Sequence, residues 1–179
     1  TSIIKVNTIQ DLSSTVLLET NGSGTITTNN IGGQNTPAFL AYLSSNQTVS
    51  NNTFTKISCN TELVDTNGNY DTSNYRFTPT IAGTYFIYGV FQTSTDASAL
   101  SFAVAAIYKN GVQKTENVID FRAGTGGGTN SIFTSLITDF NGSSDYVEFF
   151  GRINSSTNHT FQGGGIPINY FGGYKLIGA

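Results

Sequence analysis

Dipeptides that favour tight turns recur along this chain at short intervals and leave no room for long helices. Asn67-Gly68, Ala82-Gly83, Asn110-Gly111, Asn141-Gly142 and Gly163-Gly164-Gly165 punctuate the second two thirds of the sequence. Glycine and asparagine tolerate the left-handed backbone that such turns require, so each pair marks a chain reversal. The runs between them are short and rich in Tyr, Phe, Val, Ile and Thr, which reads as strand. Strands are predicted over about 37–45, 48–58, 75–81, 83–92, 101–109, 112–120, 131–139, 145–153 and 170–177. No helix and no internal repeat is predicted. Many short strands with regular turn signals point to a sandwich or jelly roll.

Composition supports that class and excludes others. Only 11% of residues are charged, too few for salt-bridged helices or coiled coils. Thirteen Phe and nine Tyr supply a core, against a reading of disorder. With 8 Lys+Arg against 11 Asp+Glu the net charge is −3, and no cation excess exists to displace the counterions of a nucleic acid. No apolar run is long enough for a membrane helix, so membrane insertion is not expected. Cys59 is the one cysteine, and reads as a small buried apolar residue; His159 is the one histidine, so no histidine cluster can hold zinc. Thr1-Ser2-Ile3-Ile4-Lys5 lacks the basic-then-apolar order of a signal peptide.

The chain has two textures. Residues 1–36 hold short apolar patches between Asn, Gly and Ser, and read as short strands of an extended arm that needs a partner, or as a flexible leader. Residues 37–179 read as a compact all-β domain. Its strands alternate side chains between two faces, and in several of them both faces are apolar. Over 83–92, Tyr85, Ile87 and Phe91 oppose Phe86, Tyr88 and Val90. Over 101–109, Phe102, Val104 and Tyr108 oppose Ala103, Ala105 and Ile107. Over 131–139, Ile132 and Leu136 oppose Phe133 and Ile137. A two-sheet sandwich buries one face of each sheet. The other apolar face is expected to meet a second subunit or to be covered by the chain's own loops or arm.

Ordered motifs then carry a resemblance. Tyr70-Asp71, Phe77 and Gly83-Thr84-Tyr85-Phe86 resemble the central signature of C1q-like globular domains, Y-D-x-x-T-G-x-F-x-x-x-x-x-G-x-Y-x-F. Pro37-Ala38-Phe39 is similar to the first strand of that family, Ile107-Tyr108-Lys109-Asn110-Gly111 to its "L-Y-K-N-G" hairpin, Asp145-Tyr146-Val147 to its "G-D-x-V", and Phe171-Gly172-Gly173-Tyr174-Lys175-Leu176 to its closing "F-S-G-F-L-L" strand. The departures are Asn74-Tyr75 for Thr-Gly, Ile87 for Phe, and Ser144 for Gly. The resemblance covers about 37–179 and implies an all-β, ten-stranded jelly-roll sandwich of the C1q and tumour-necrosis-factor type. It also implies a homotrimer joined through one sheet, and the expected interface draws on Phe39, Tyr85, Ile87, Phe133 and Tyr174. Ile4-Lys5-Val6-Asn7-Thr8-Ile9-Gln10 resembles the opening of structural proteins of tailed bacteriophages.

Catalytic chemistry finds little support. His159 sits in the polar stretch Asn154-Ser155-Ser156-Thr157-Asn158-His159-Thr160, with no G-x-S-x-G elbow in the chain. Asp120, Asp139, Asp145 and Glu148 lie at or near strand ends and read as solvated charges. Gly124-Thr125-Gly126-Gly127-Gly128 lacks the Gly-Lys-Ser/Thr ending of a phosphate loop and reads as a loop between strands. Asp65, Asn67, Asn69 and Asp71 alternate oxygen ligands as at the start of a calcium loop, but Tyr70 and Arg76 break the EF-hand pattern. An Asn-Gly turn and an irregular Ca²⁺ site both fit, and some C1q-like trimers bind Ca²⁺; no other cofactor is expected. The long polar loop 153–169 is either an ordinary connection or a recognition loop, in which Asn154, Asn158, His159 and Gln162 would meet a sugar or protein.

The reading is therefore a non-enzymatic structural protein exposed on a virion surface. Its arm, 1–36, would contact other virion proteins, and its head, 37–179, would be a capsid decoration or fibre head able to bind a host-surface glycan or protein. The alternatives are a secreted C1q/TNF-like recognition protein and, more remotely, a carbohydrate-active enzyme.

Overall fold

The computed structural model describes residues 8–10, 16–20, 26–28, 35–96, 98–121 and 128–177. The glycine run 124–127 and the first four residues of the Ile4–Gln10 motif lie outside them. Among the described residues every regular element is a strand, and no helix is long and apolar enough to cross a membrane.

The described residues fall into two units, one within 1–34 and one spanning 35–177. In the first, β1 (Thr8–Gln10), β2 (Val16–Thr20) and β3 (Ile26–Thr28) form a three-stranded antiparallel sheet in sequence order, with Ile9 opposite Leu18 and Glu19 opposite Thr27.

The second unit contains β4 (Ala38–Tyr42), β5 (Gln47–Thr48), β6 (Thr55–Lys56), β7 (Thr61–Asp65), β8 (Tyr70–Asp71), β9 (Arg76–Phe77), β10 (Gly83–Ser94), β11 (Leu100–Lys109), β12 (Val112–Asp120), β13 (Thr129–Phe140), β14 (Val147–Ser155), β15 (Thr160–Phe161) and β16 (Tyr170–Lys175). Its first sheet runs β7-β4-β16-β10, with β13 on the far side of β10 and the short β15 and β5 extending from the end of β10. The second sheet runs β12-β11-β14-β9-β8, with β6 also on β14. The two sheets hold seven and six strands where ten in all were expected; two-residue ladders such as β5, β6 and β15 make up the excess.

The Asn110-Gly111 reversal sits where the dipeptide predicts it. Both residues have positive φ, 52° and 76°, and join Lys109 to Val112 in a hairpin. The core lies between the sheets and is largely aromatic. Phe39 stacks on Phe77 at 4.2 Å, Phe149 lies parallel to Phe171 at 5.5 Å, and Phe91 meets Phe161 edge-on at 4.9 Å. Each such ring contributes about 1.5–3 kcal/mol through burial. Cys59 is fully buried among these residues, and burial pushes its thiol up, so it packs as an apolar group.

At the edge the sheets approach each other, where the Asn117 side-chain amide on β12 donates to the Phe133 carbonyl on β13 at 2.5 Å. At the other end Asn169 is completely buried. Its side chain accepts from the Gln92 amide at 2.5 Å and donates to the Gln92 carbonyl at 3.0 Å and to the Gln162 carbonyl, tying the approach to β16 onto β10.

Candidate functional site

Strand parity decides what the first sheet offers to its surroundings. Along β10 burial alternates strictly: Tyr85, Ile87, Gly89 and Phe91 point into the sandwich, and Phe86, Tyr88 and Val90 point out. Carried across the ladders, this alternation builds three outward rows. One contains Ala38, Tyr174, Phe86 and Ile137; the next Leu40, Gly172, Tyr88 and Ser135; the third Tyr42, Tyr170, Val90 and Phe133. Nearly every position is apolar or aromatic.

The rings on this face organise one another. Phe86 lies 5.7 Å from Tyr88 and 5.7 Å from Tyr174, and Tyr88 meets Tyr170 at 6.4 Å. Gly172 lets Tyr88 lie down on the sheet, since a Cβ there would sit 2.7 Å from the Tyr88 ring. Burial, with the Tyr170 and Tyr174 phenols beside it, holds the Tyr88 hydroxyl above its usual range. At the β13 edge Phe133 is 52% and Ile137 63% exposed. A contiguous apolar sheet face of this kind marks an interaction surface.

The expected interface residues divide between two faces. Phe133 and Tyr174 stand on the outward face. Phe39, Tyr85 and Ile87 do not: all three are 2% exposed or less and belong to the core. Phe39 is stacked against Phe77 and Tyr70, and the Tyr85 hydroxyl donates to the Ile81 carbonyl at 2.7 Å, its pKa pushed up to about 12 by burial. These three side chains hold the two sheets together and cannot touch a second chain. The outward-facing residues of the same strands are one position along: Leu40, Phe86 and Tyr88.

The second sheet disposes of its outer apolar face differently. Val104 and Ala106 are fully buried there. Their cover comes from the same chain: Tyr108 packs on Phe150 at 4.3 Å and on Phe54 at 6.0 Å, and the Arg152 guanidinium lies 4.6 Å from the Phe54 ring centre and 5.0 Å from that of Phe102. Beside this layer Glu148 is only 5% exposed, a correction to its reading as a solvated strand-end charge. Its Oε1 accepts from Lys56 Nζ at 2.5 Å and lies 3.4 Å from Arg76, whose guanidinium covers the Tyr146 ring at 4.3 Å.

The four residues expected in a recognition loop are not assembled into one site. The segment divides into the end of β14, a turn and β15. Asn154 stands on the outer face of the second sheet opposite Phe102. Asn158 is exposed, has φ 46°, and donates to Asp96 at 2.6 Å. His159 Nε2 lies 3.0 Å from the Ser155 carbonyl. Gln162 follows directly after β15, its amide donating to the Gln92 carbonyl of β10 at 3.1 Å.

In the stretch read as turn or Ca²⁺ loop, both acidic side chains are engaged by N–H donors. Asp65 accepts from the amides of Asn69 at 3.0 Å and Tyr70 at 2.9 Å. Asp71 accepts from the Ser73 amide at 2.7 Å and the Asn74 side chain at 2.6 Å, which with the Asn74 amide hold its carboxyl at about 2. Among the described residues no three His, Cys, Asp or Glu side chains are grouped so as to hold a metal ion.

No family model and no curated protein matches the chain, whereas solved structures do. The globular domain of zebrafish complement 1qA matches at TM-score 0.53 and 10% identity, over 78% of this chain and 96% of that one. Murine APRIL matches at TM-score 0.56 and 9% identity, over 78% and 98%. The Eiger TNF of S. frugiperda matches at TM-score 0.51 and 11% identity, over 78% and 91%. At these identities the likeness fixes the fold, a two-sheet jelly roll of the C1q and TNF type.

Proposed function

We propose that this chain forms a homotrimer through the outward face of its first sheet and serves as a non-enzymatic structural head on a virion. The observation that carries the assembly is the three-row aromatic face, with Phe133 and Ile137 half exposed or more on one chain. Leaving such a face in water forfeits the burial of several large side chains, each worth about 1.5–3 kcal/mol. The C1q and TNF fold of the solved neighbours supports a threefold arrangement. In support of the virion role, Ile4–Gln10 is similar to the opening of tailed-phage structural chains. On this reading residues 1–36 contact other virion proteins, and the head is a capsid decoration or a fibre tip presenting its surface to a host glycan or protein.

The assembly is tested by the double substitution Phe133→Lys and Ile137→Lys, measured by light scattering. A monomer that keeps the parent's circular dichroism supports the reading; an unchanged mass overturns it. The virion role is tested by labelling purified particles with an antibody against 37–179. Labelling at many positions marks a decoration, labelling at the tail alone marks a fibre, and no labelling overturns the role. The likeness to complement and TNF domains favours a second reading, a secreted recognition protein. It predicts this chain free in culture fluid and absent from particles.

A further inference from the structure

The outer face of the second sheet carries a feature that the proposed trimer does not use. Arg152 lies between two aromatic rings, Phe54 at 4.6 Å and Phe102 at 5.0 Å. Its side chain makes no ion pair and no hydrogen bond among the described residues, and its Nε is buried without a partner. A guanidinium presents a fork of N–H donors suited to a planar or tetrahedral oxyanion. The rings strip part of its water and fix its position, so less freedom is lost when an anion binds.

The surroundings narrow the class of ligand. Arg152, Phe150 and Glu148 share one face of β14 at every second residue, so this row spans about 13 Å. Lys56 and Arg76 flank Glu148 at its far end, and Asp71 stands opposite Arg76, so the charges there balance and Arg152 is the unpaired cation of the row. Between Arg152 and that balanced end lie the half-buried rings of Tyr108 and Phe150, 4.3 Å apart. Two acidic residues adjoin this face on the neighbouring β12, Asp120 opposite Phe102 and Glu116 opposite Ala106, so an anionic ligand is expected to lie along β14, on the side of Arg152 away from β12. Aromatic surface beside one unpaired guanidinium suits sugar rings bearing oxyanions. The short span and the chain's net charge of −3 do not suit a nucleic-acid track.

We infer that this face, centred on Arg152 between Phe54 and Phe102, binds an acidic polysaccharide through its sulfate or carboxylate groups. The inference deepens the proposed recognition role, yet uses the sheet opposite the assembly face, so it holds for monomer and trimer alike.

The test uses the full chain with dextran sulfate, polygalacturonate and neutral dextran, titrated by calorimetry at low and at moderate salt. Dextran sulfate or polygalacturonate is expected to bind and to weaken with salt, with dextran silent; whichever binds more tightly names the oxyanion. Arg152→Gln is expected to weaken binding at least tenfold and Phe54→Ala several-fold, each measured at a temperature where circular dichroism shows the variant folded. Lys114→Gln, which removes the same charge from exposed β12, should change it less than twofold. No binding to either polyanion, equal losses in R152Q and K114Q, or tighter binding of oligothymidylate would overturn the inference. If R152Q misfolds, Phe54→Ala and Arg152→Lys decide, since only a bidentate contact loses affinity with lysine. Binding of neutral dextran that R152Q leaves intact would sink this site while sparing the general recognition role.

Discussion

Tyr75 shows how a departure from a motif is read physically. It occupies the position where the C1q-like signature has glycine, and its φ is 54°, in the left-handed region. A side chain there costs about 1–2 kcal/mol, part of which glycine recovers at the expense of chain entropy. Tyr75→Gly is therefore expected to raise stability by up to about 1 kcal/mol, read from denaturant midpoints at constant slope; a destabilised variant would contradict this. Asp71 supplies a pH dependence. The Asn74 side chain first, then the Ser73 and Asn74 amides, hold its carboxyl at about 2, below the unfolded value near 3.9. Asp145 is lowered in the same direction, by the Asn110 side chain first and then by Lys109. A lowered carboxyl stabilises the fold above its unfolded pKa, and that contribution disappears as pH falls through the folded value. Melting temperature should therefore drop between about pH 4 and pH 2, and Asp71→Asn should flatten part of that drop; an unchanged profile would show that these contacts do not form.

Among the elements, parity separates two kinds of aromatic residue on one strand pair. Phe77 and Tyr85 face inward, so Phe77→Ala should cost about 3–5 kcal/mol in unfolding free energy. Phe133 faces outward, and Phe133→Ala should leave the head folded while loosening its association. Both apolar faces of β10 and β13 were legible in the sequence. Which face turned inward was not, because alternation gives the period of a strand but not its phase; the phase is set by the opposing sheet. Three of the five expected interface residues fell on the wrong side for this reason. β7 went unseen because Leu63 and Val64 are adjacent and break the alternation, and the partner strand compensates with a register shift between Leu40 and Ala41. Glu148 was misread because its partner Lys56 lies 92 residues away in sequence. The Asn110-Gly111 hairpin was legible, being decided by two adjacent residues. The Asp65–Asp71 stretch, with its oxygens turned to N–H donors, should be indifferent to metal. Melting is expected to be the same in EDTA and in millimolar Ca²⁺, and a clear rise with Ca²⁺ would reassign it as a site.

For the whole molecule, the two sheets solve one problem in two ways. Each has an apolar outer face. The second sheet covers its own with Phe54, Tyr108, Phe150 and Arg152, while the first leaves Phe133 and Ile137 open. That asymmetry is the central claim, because the proposed assembly uses the open face and the proposed ligand the self-covered one. It is tested most directly by the solution mass of 1–179 and of 37–179, by light scattering after size exclusion. The account predicts three times the monomer mass for both, the full chain being 19.1 kDa. A trimer of the full chain alone would move the assembly surface to residues 1–36, and a monomer in both cases would contradict the account.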